Sequence, residues 1–554
     1  MADALDRPPN ILLLVAEDLS PRIGAYGDTV ARTPNLDRLA RRAVRYTQVF
    51  TTAGVCAPSR AALVMGQHQI SFGAQHMRTS TGPLGAYFAQ PHPDAKAFPE
   101  QLRKAGYFTF TDVKLDYQFS GVAAGSGPFT IWDQEGQDAH WRNRNPDQPF
   151  FGMINFLETH ESGVMRLDIE PYNAAHAATQ TMRKRAGLVA EPVTDPSEVE
   201  VPPYYPDIPE VRGDLARHYD NIHAMDARVG AILDALDQDG LRDQTIVIWT
   251  TDHGDGLPRA KRELLDTGIH VPMLVDLPPA YRPAGWSPGQ ERDDIVSFVD
   301  LAPTILEWAG VPVPEQLHGS SFLAGGRAYA FASRDRIDTV PDRQRAVRDR
   351  RYKYIRSWSP DTPGGHELEY RDGLEMVRAM RQRFLTGQLT AAQARWFQPF
   401  GDEQLYDLAT DPDELDNRAG DAELQAVRTR LLNTLIDWLA RVGDSSVISE
   451  AELRDRLLVK GQIPVTPAPT VVVADSFVTL HGEPGASIGY RTEGGAWLLY
   501  SDPLTVPAGR LEAKAVRYGW YESPVVTWEP GRPADPIEIT TENEPDSTRG
   551  HPHE

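Results

Sequence analysis

The feature that most constrains this chain is a series of apolar runs that each stop abruptly at a charged or imidazole side chain. NILLLVAEDL ends in Glu17 and Asp18, PFFGMINFLETHE contains His160 just past its apolar run, and TIVIWTTDHGDG continues into Asp252 and His253. Continuous apolar runs of this length are typical of strands buried on both faces of a parallel sheet. Helical segments such as RGDLARHYDNIHAMDARVGAILDALDQDG separate them. The alternation predicts an α/β fold whose mostly parallel central sheet is sandwiched by helices.

These run-ending residues are expected to lie close together. The carboxyl ends of parallel strands meet at one edge of a sheet, which is where functional groups gather in α/β folds. Lys114, at the end of FTFTDVK, follows the same rule. One such residue alone is more often an ordinary polar loop residue. The repetition along the chain favours a shared site.

Three of the run-ending residues are carboxylates, namely Glu17, Asp18 and Asp252, and His253 stands beside the last. Clustered carboxylates repel one another, so a positive group must lie among them. Hard oxygen ligands suit Ca²⁺, Mg²⁺ or Mn²⁺. The alternative is that each acid caps the helix that follows its strand. Taken as a set that flanks Cys56, these residues favour a divalent metal.

A set of cations accompanies the acids, although the chain carries a formal net charge of −22. Its members are Arg60, Lys114, His160 and Lys261. At ~4 Å and an effective dielectric constant near 20, each cation contributes about 4 kcal/mol of gross attraction to a unit negative charge. We therefore predict a site for a small anion, with surface salt bridges as the alternative, above all for Lys261. The acidic balance argues against a nucleic-acid partner.

The segment TTAGVCAPSRAALVMG holds the single cysteine, Cys56. One cysteine excludes an intramolecular disulfide, and the residues alone leave core packing, metal ligation and nucleophilic catalysis open. The opening MADALDRPPNILLLVAEDL has no basic leader region, and its apolar run is too short for a signal peptide or a membrane span. We expect a cytoplasmic protein with no membrane partner, or a periplasmic or secreted one if a leader has been removed.

Changes in the predicted secondary structure along the chain indicate its domain organisation. After the α/β region, the segments AYAFAS, RAVRDRRYKYIRSW and EQLYDLATDPDELDN suggest antiparallel strands, and short alternating strands follow VTP. The expected units are a catalytic α/β domain over 1–325, an α+β subdomain over 326–445, a linker over 446–465, a β-sandwich over 466–535 and a polar, disordered tail over 536–554.

Several of these segments resemble the type I, formylglycine-dependent sulfatases of the alkaline phosphatase superfamily. Cys56 to Arg60 reads CAPSR, the complete C-x-P-S-R motif of that family, and PNILLLVAEDL, TPNLDRLA and TTDHGDG resemble its other landmarks. Lys261 precedes Pro272 by the eleven residues usual for the second lysine of the family. The resemblance covers about 8–445 and is closest to the sulfamidase branch, which hydrolyses N-sulfated glucosamine. The C-terminal module resembles Fn3-like or chitobiase-type domains.

The resemblance implies the chemistry of the site. A formylglycine-generating enzyme would oxidise Cys56, and the hydrated aldehyde would attack sulfur with one hydroxyl and release sulfate through the other. The substrate would be a small sulfated anion or a sulfated glycan. By position in the motifs, the metal site would comprise Glu17, Asp18, Asp252, His253 and residue 56, while Arg60 would hold the nucleophile and Lys114, His160 and Lys261 would bind or protonate the substrate.

Three residues depart from the family pattern. Glu17 replaces the commoner Asp, Asp116 stands where a histidine usually follows the lysine by two, and His253 replaces the usual Asn. Ca²⁺ remains the favoured metal, but the imidazole makes Mn²⁺ or Mg²⁺ alternatives. Because an Asp–His pair also occurs in phosphonate monoester hydrolases, a phosphonate or phosphate ester hydrolase is the second candidate function. An inactive glycan-binding protein is the third.

Two further expectations concern substrate recognition and assembly. In GQHQISFGAQHMRTSTG, after the cysteine segment, we expect His76 rather than His68 to shape substrate choice. The C-terminal module would serve glycan binding, with Trp497 and Tyr521 among its candidate platform residues, or packing within a homo-oligomer.

Overall fold

The computed structural model describes residues 7–122 and 125–530, and the predicted tail over 536–554 lies outside the described residues. The strands are β1 Asn10–Ala16, β2 Val44–Phe50, β3 Phe108–Thr111, β4 Gln134–Glu135, β5 Phe150–Phe156, β6 Thr245–Thr251, β7 His270–Asp276, β8 Glu291–Ser297, β9 Ala330–Arg334, β10 Gln344–Arg348, β11 Tyr352–Ser357, β12 Glu403–Asp407, β13 Thr470–Ala474, β14 Phe477–His481, β15 Ser487–Thr492, β16 Leu498–Leu499, β17 Leu504–Thr505, β18 Leu511–Val516 and β19 Val526–Trp528.

The helices are α1 Pro34–Ala40, α2 Cys56–Met65, α3 Phe98–Lys104, α4 Ala174–Ala186, α5 Pro209–Gln238, α6 Asp266–Ile269, α7 Leu301–Trp308, α8 Glu375–Leu385, α9 Ala391–Ala394, α10 Gln425–Val442 and α11 Glu450–Leu457. Short 3-10 turns connect several of them. Within the described part of the chain, no helix combines the length and the apolar character that crossing a membrane requires.

The central sheet has eight strands in the order β4-β3-β5-β1-β6-β7-β2-β8. Only β7 runs against its neighbours, so the predicted mostly parallel sheet is confirmed. β1 lies at the centre, with Ala16 level with Phe156 of β5 and Thr251 of β6. The residues that follow these three strands therefore leave the same edge side by side.

Helices cover both faces of this sheet because its strands are apolar on both sides. Alternate residues of β1 enter different cores: Ile11 and Leu13 pack with α2, α3 and α7, whereas Leu12 and Leu14 pack with α1 and α5. All of these β1 side chains are fully buried. This double burial is the reason that the strand reads as a continuous apolar run.

Beyond the central sheet, β12-β11-β10-β9 form a four-stranded antiparallel sheet. The apolar stripe of α10, which includes Leu431, Leu435 and Trp438, packs against it. The predicted linker over 446–465 is not an extended connection, because it contains α11. Glu450, at the start of α11, accepts hydrogen bonds from Arg336 and from the Tyr87 hydroxyl (2.9 Å).

The C-terminal module is a sandwich of two antiparallel sheets, β13-β14-β17 and β16-β15-β18-β19. It packs closely on the catalytic domain near α3. The Tyr518 hydroxyl donates to Glu100 of α3 at 2.6 Å, and the Tyr518 ring stacks on Phe119 with centroids 5.1 Å apart. Trp497, a candidate sugar platform, packs against Phe129 with ring centroids 5.7 Å apart, and its role in glycan binding stays a prediction.

Candidate active site

The edge of the central sheet brings four of the predicted residues together. Asp18 N donates to Asp252 Oδ1 at 3.0 Å, and Asp252 N donates to the Ala16 carbonyl at 3.0 Å. Glu17, Asp18, Asp252 and His253 are all fully buried. Asp18 has a left-handed backbone with φ of 50°, a conformation that is uncommon outside glycine and concentrates at functional sites.

Cys56 is the first residue of α2, and its side chain is buried beside this acidic cluster. Its thiol lies against His253, whose pKa is raised to about 10: burial opposes the shift, but Asp252, Asp18 and the Cys56 contact outweigh it. Ser59, one turn along, donates from its hydroxyl to the Asp252 carbonyl at 2.6 Å. The CAPSR segment is therefore tied directly to the end of β6.

Arg60 holds two of the carboxylates and a third polar side chain. Its guanidinium lies 3.1 Å from Asp252 Oδ2 and 3.2 Å from Glu17 Oε1, and it also donates to Asn155 Oδ1 of β5. Burial alone would lower the pKa of Arg60, but Asp252 and Glu17 raise it further above its usual value. Arg60 thus links the ends of β1, β5 and β6.

Lys114 contacts the same oxygen of Glu17 as Arg60 does, with Nζ 3.3 Å from Glu17 Oε1. Burial raises the pKa of Glu17 in spite of the opposing charges of Lys114 and Arg60. An additional positive charge near Glu17 would favour its ionised form.

Lys261 and His160 form the cationic side of the site. Lys261 Nζ lies 2.6 Å from Asp18 Oδ2 and 3.2 Å from His160 Nε2. Burial would raise the pKa of Asp18, yet Lys261 with His160 and His253 holds it well below its usual range. Because an ammonium only donates, His160 Nε2 accepts from Lys261, while Nδ1 on the other side of the ring lies 2.9 Å from Ser162 Oγ and 3.3 Å from Ser162 N.

The pKa of His160 departs from the ordinary histidine value in this setting. Burial lowers the pKa of His160 well below its usual value, and the charge of Lys261 lowers it further. The imidazole is therefore neutral near neutral pH before an anionic substrate binds.

A cavity of about 430 Å³ opens onto these groups. Cys56, His160 and Lys261 line it together with residues that the sequence argument missed. The additional charged side chains in its wall are Arg78, Glu161, Arg262, Asp338 and Glu369. The volume is in the range of small-molecule sites and exceeds what a lone sulfate needs.

The residues at the acidic cluster fit a divalent metal. Glu17 Oε2, Asp18 Oδ1 and His253 Nε2 are buried atoms without a hydrogen-bond partner. Asp18 Oδ1 and His253 Nε2 lie 3.0 Å apart, and the ligand atoms of Asp18, Asp252 and His253 all lie within 4.8 Å of one another. Buried carboxylate oxygens and an imidazole nitrogen that converge in this way are suitable ligands for a cation, which would take the place of the proton that His253 and Asp18 share without it.

Two residues singled out from the sequence lie apart from the acidic cluster. The His76 ring lies 3.7 Å from Glu450 and is not part of the cavity wall, whereas its neighbours Met77 and Arg78 are. Asp116 is buried, with Oδ2 4.0 Å from the Arg78 guanidinium. The influence of His76 on substrate choice therefore stays a prediction.

Comparison with known proteins identifies the family. The family model described as Sulfatase matches residues 9–124 and 135–311, and a model described as N-sulphoglucosamine sulphohydrolase, C-terminal, matches 259–368. The chain belongs to the sulfatase family. This sulfatase is 36% identical over 559 residues to an ulvan-active sulfatase of Formosa agariphila, covering 94% of this chain and 91% of the relative.

A more distant relative and a solved structure are also similar to this chain. Human N-sulphoglucosamine sulphohydrolase is 27% identical to this sulfatase over 477 residues, which cover 78% of this chain and 90% of the human protein. A solved structure described as a complex with its substrate D-glucosamine-2-N,6-O-disulfate has a TM-score of 0.53 at 16% identity, covering 80% of this chain and 100% of that one. The predicted family, its enzyme class of sulfuric ester hydrolases and the fold class are thereby confirmed.

Proposed function

We propose that this sulfatase hydrolyses sulfate esters or sulfamates of carbohydrates. The observation that carries the proposal is the position of Cys56, at a cavity wall shared with His160 and Lys261 and against the buried acidic cluster. The names of the relatives, an ulvan-active sulfatase and an N-sulphoglucosamine sulphohydrolase, support a carbohydrate as the substrate class.

Residue 56 acts after a formylglycine-generating enzyme has converted it to formylglycine, which supplies a hydrated aldehyde as the nucleophile. A divalent metal held by Glu17, Asp18, Asp252 and His253 supplies positive charge that polarises the sulfate group. Ca²⁺ is the favoured ion because three of these four ligands are carboxylates, with Mn²⁺ or Mg²⁺ as alternatives because the fourth is an imidazole.

The remaining roles in the proposed mechanism belong to Arg60, Lys261 and Lys114. Arg60 fixes Glu17 and Asp252 in position through contacts of 3.2 and 3.1 Å. Lys261, with its ammonium in the cavity wall, and Lys114, beside Glu17, stabilise the negative charge of the sulfate oxygens as the bond to the leaving group breaks.

His160 protonates the leaving oxygen or nitrogen. Nε2 of His160 lies in the cavity wall, 3.2 Å from Lys261 Nζ, and the negative charge of a bound sulfate group favours the protonated imidazole that donates to the leaving group. The requirement should be strongest for a poor leaving group such as a sugar hydroxyl.

The test is a substrate panel run on formylglycine-containing enzyme with Ca²⁺ and, separately, with Mn²⁺. Its members are an aryl sulfate, N-sulfoglucosamine and an aryl phosphonate monoester, with Cys56→Ala as the inactive reference. We expect turnover of the sulfated compounds, and a faster phosphonate reaction would favour the second candidate function. No turnover of any member, with conversion of Cys56 verified by mass, would leave the inactive glycan-binding alternative.

The role of His160 is tested with two variants and two leaving groups. His160→Ala should slow N-sulfoglucosamine hydrolysis by about 100-fold or more while affecting a 4-nitrophenyl sulfate much less, since 4-nitrophenolate leaves without a proton. His92→Ala, which removes an exposed histidine, is the matched control. Equal losses on both substrates would contradict the assignment.

A further inference from the structure

One tryptophan differs from the others in its exposure to solvent. All eleven tryptophans lie within 7–122 and 125–530, the residues that the structure describes, and among them Trp358 alone has an exposed side chain, at 42%. Tryptophan is usually largely buried, because its ring contributes a large apolar area to a core or an interface. A single exposed apolar residue needs no explanation by itself, so the position of Trp358 decides what it can do.

The Trp358 ring is held in place from one side. The Arg343 guanidinium carbon lies 4.4 Å from the ring centroid, and Trp358 N donates to the Arg343 carbonyl at 2.9 Å. Arg343 is itself paired with Asp444 at 3.0 Å. Because an anchored guanidinium covers one face of the indole, the ring keeps its orientation, and little ordering remains to be done when a ligand contacts it.

The sheet topology places Trp358 at the edge of the C-terminal sheet that also carries part of the cavity wall. Arg334 of β9, Gln344 of β10 and Ser357 of β11 are level in register. Two strand spacings separate β9 from β11, so Ser357 lies about 10 Å from Arg334. Shortly after Arg334 the chain reaches the cavity wall at Asp338, and Trp358 directly follows Ser357. The two connections therefore leave the same edge of the sheet.

The segment that follows Trp358 also runs to the cavity. Gly364 lies against the Glu263 carboxylate, so closely that a Cβ at this position would collide with it. Glu263 is the neighbour in sequence of Arg262, which lines the cavity, and Leu368 lines it as well. The exposed indole is thus joined to the cavity wall by the segment that starts from it, as well as across the sheet.

The size of the cavity leaves most of a long glycan outside it. A volume of about 430 Å³ lies towards the lower end of the range for small-molecule sites. It leaves room for a sugar with its sulfate, and further sugars of the same chain would lie on the surface beyond the mouth. One face of a pyranose ring presents C–H groups that stack on an aromatic ring, while the hydroxyls at its rim stay in water.

We infer that Trp358 is a stacking platform for a sugar that lies outside the cavity, in the same chain as the sugar whose sulfate is removed. This inference rests on the proposed function, whose substrate class it narrows from carbohydrates in general to oligomeric or polymeric glycans. Arg343 is then a positioning residue, because it acts by holding the indole.

The experiment measures binding by calorimetry in the Cys56→Ala background with Ca²⁺ present, so that turnover is not needed. The probes are two pairs: N-sulfoglucosamine with a tetrasaccharide that carries it at the non-reducing end, and a sulfated ulvan disaccharide with the corresponding tetrasaccharide. We expect the longer member of at least one pair to bind about tenfold more tightly than the shorter one. Trp358→Ala should remove this gain without changing the affinity for the shorter member, and Trp358→Phe should retain part of it.

Tyr352→Ala is the matched control, because it removes an aromatic ring that also carries an arginine, Arg351 at 4.9 Å, but at the opposite end of β11. The gain should survive in this variant. Fluorescence supplies a second measurement: the longer probe should protect Trp358 from acrylamide quenching, and Trp358→Phe, which keeps the other tryptophans, should lose that protection.

Three results would overturn the inference: equal affinities within both pairs, a gain that survives in Trp358→Ala, or a loss in that variant that is equal for the shorter and longer probes. The expected dependence on length, without turnover of any probe by the formylglycine-containing enzyme, would refute the proposed function alone.

Discussion

Removal of the Arg60 guanidinium should destabilise the protein strongly, and more so without metal than with it. Arg60 is 3% exposed and lies 3.1 Å from Asp252 and 3.2 Å from Glu17, both fully buried. Arg60→Ala leaves Glu17 with Lys114, at 3.3 Å, as a remaining cation, whereas Asp252 keeps hydrogen bonds from Asp18 N and His253 N.

The magnitude follows from the geometry of the pair. At the observed 3.1 Å and an effective dielectric constant near 20, the gross attraction to Asp252 is about 5 kcal/mol. Breaking a buried pair by removing one partner costs about 3–5 kcal/mol net, because a buried charge is left uncompensated. A bound Ca²⁺ would replace part of the lost positive charge, so the loss should be smaller in Ca²⁺ than in chelator.

The assay is denaturant unfolding of unconverted protein, followed by tryptophan fluorescence, in chelator and in saturating Ca²⁺. Unconverted protein keeps residue 56 identical in every sample, since Arg60 belongs to the CAPSR motif. Arg38→Ala removes an exposed ion pair with Asp234 and should cost no more than about 1 kcal/mol in either condition. The reasoning fails if Arg60→Ala loses no more stability than Arg38→Ala, or if Ca²⁺ leaves its loss unchanged.

Three other outcomes are expected. Conversion of Cys56 to formylglycine should lower the mass by about 18 Da in the aldehyde form, as the sulfur is replaced by oxygen and two hydrogens are lost, and should leave no thiol to alkylate; because the hydrate regains the lost mass, it is full alkylation of residue 56 in active enzyme that would contradict the proposed nucleophile. Tyr518→Phe keeps the ring on Phe119 but removes a bond to a carboxylate; it should weaken docking of the sandwich by about 1.5–3 kcal/mol, seen as faster proteolytic release of the module. Burial raises the pKa of Asp214 to about 6, so its folded pKa exceeds its unfolded one; its favourable contribution to stability is complete below pH ~4 and is lost as pH rises through 6. The stability of the wild type relative to Asp214→Asn should therefore fall by up to about 3 kcal/mol between pH 4 and 7, and a flat difference would contradict the shift.

The sheet and the acidic cluster could be predicted because strand ends are encoded locally. A run buried on both faces must be apolar, so the change to Glu17 and Asp18, or to Asp252 and His253, marks both where a strand stops and which edge it leaves. Cys56 and Arg60 were predictable for a different reason, since they belong to a short motif.

The rest of the site depends on contacts between distant loops. Asn155, which receives a bond from Arg60, interrupts the apolar run of β5 only once, and a single polar residue is a weak signal. Arg78 and Asp338 come from loops that have no periodic pattern, and Arg336 brings them together through bonds to the Met77 and Asp338 carbonyls. Sequence spacing holds no information about such a meeting.

The helix inside the expected linker was recognisable in principle. Ser449 precedes α11 and its side chain accepts from Glu452 N, the arrangement typical of an S-x-x-E helix start. Charged residues dominate α11, however, and its anchoring side chain, Glu450, makes sense only beside Arg336 and Tyr87. In the sequence, a polar helix of this kind looks the same as a solvent-exposed connection, because the residues that Glu450 contacts are far away in the chain.

The docking of the sandwich on α3 has a consequence for attempts to recombine this enzyme with its relatives. Glu100 accepts hydrogen bonds from the hydroxyls of Tyr518 and Ser487 of the module, and from the hydroxyl of Thr130 in its own domain. In a chimera whose module is replaced from the connection before β13 onward, Glu100 would stay buried at the interface without the hydroxyl donors of Tyr518 and Ser487. Grafting of a foreign module should therefore succeed only if Phe119 and the face of α3 that contacts the module are exchanged together with it, because the two sides of this interface match each other.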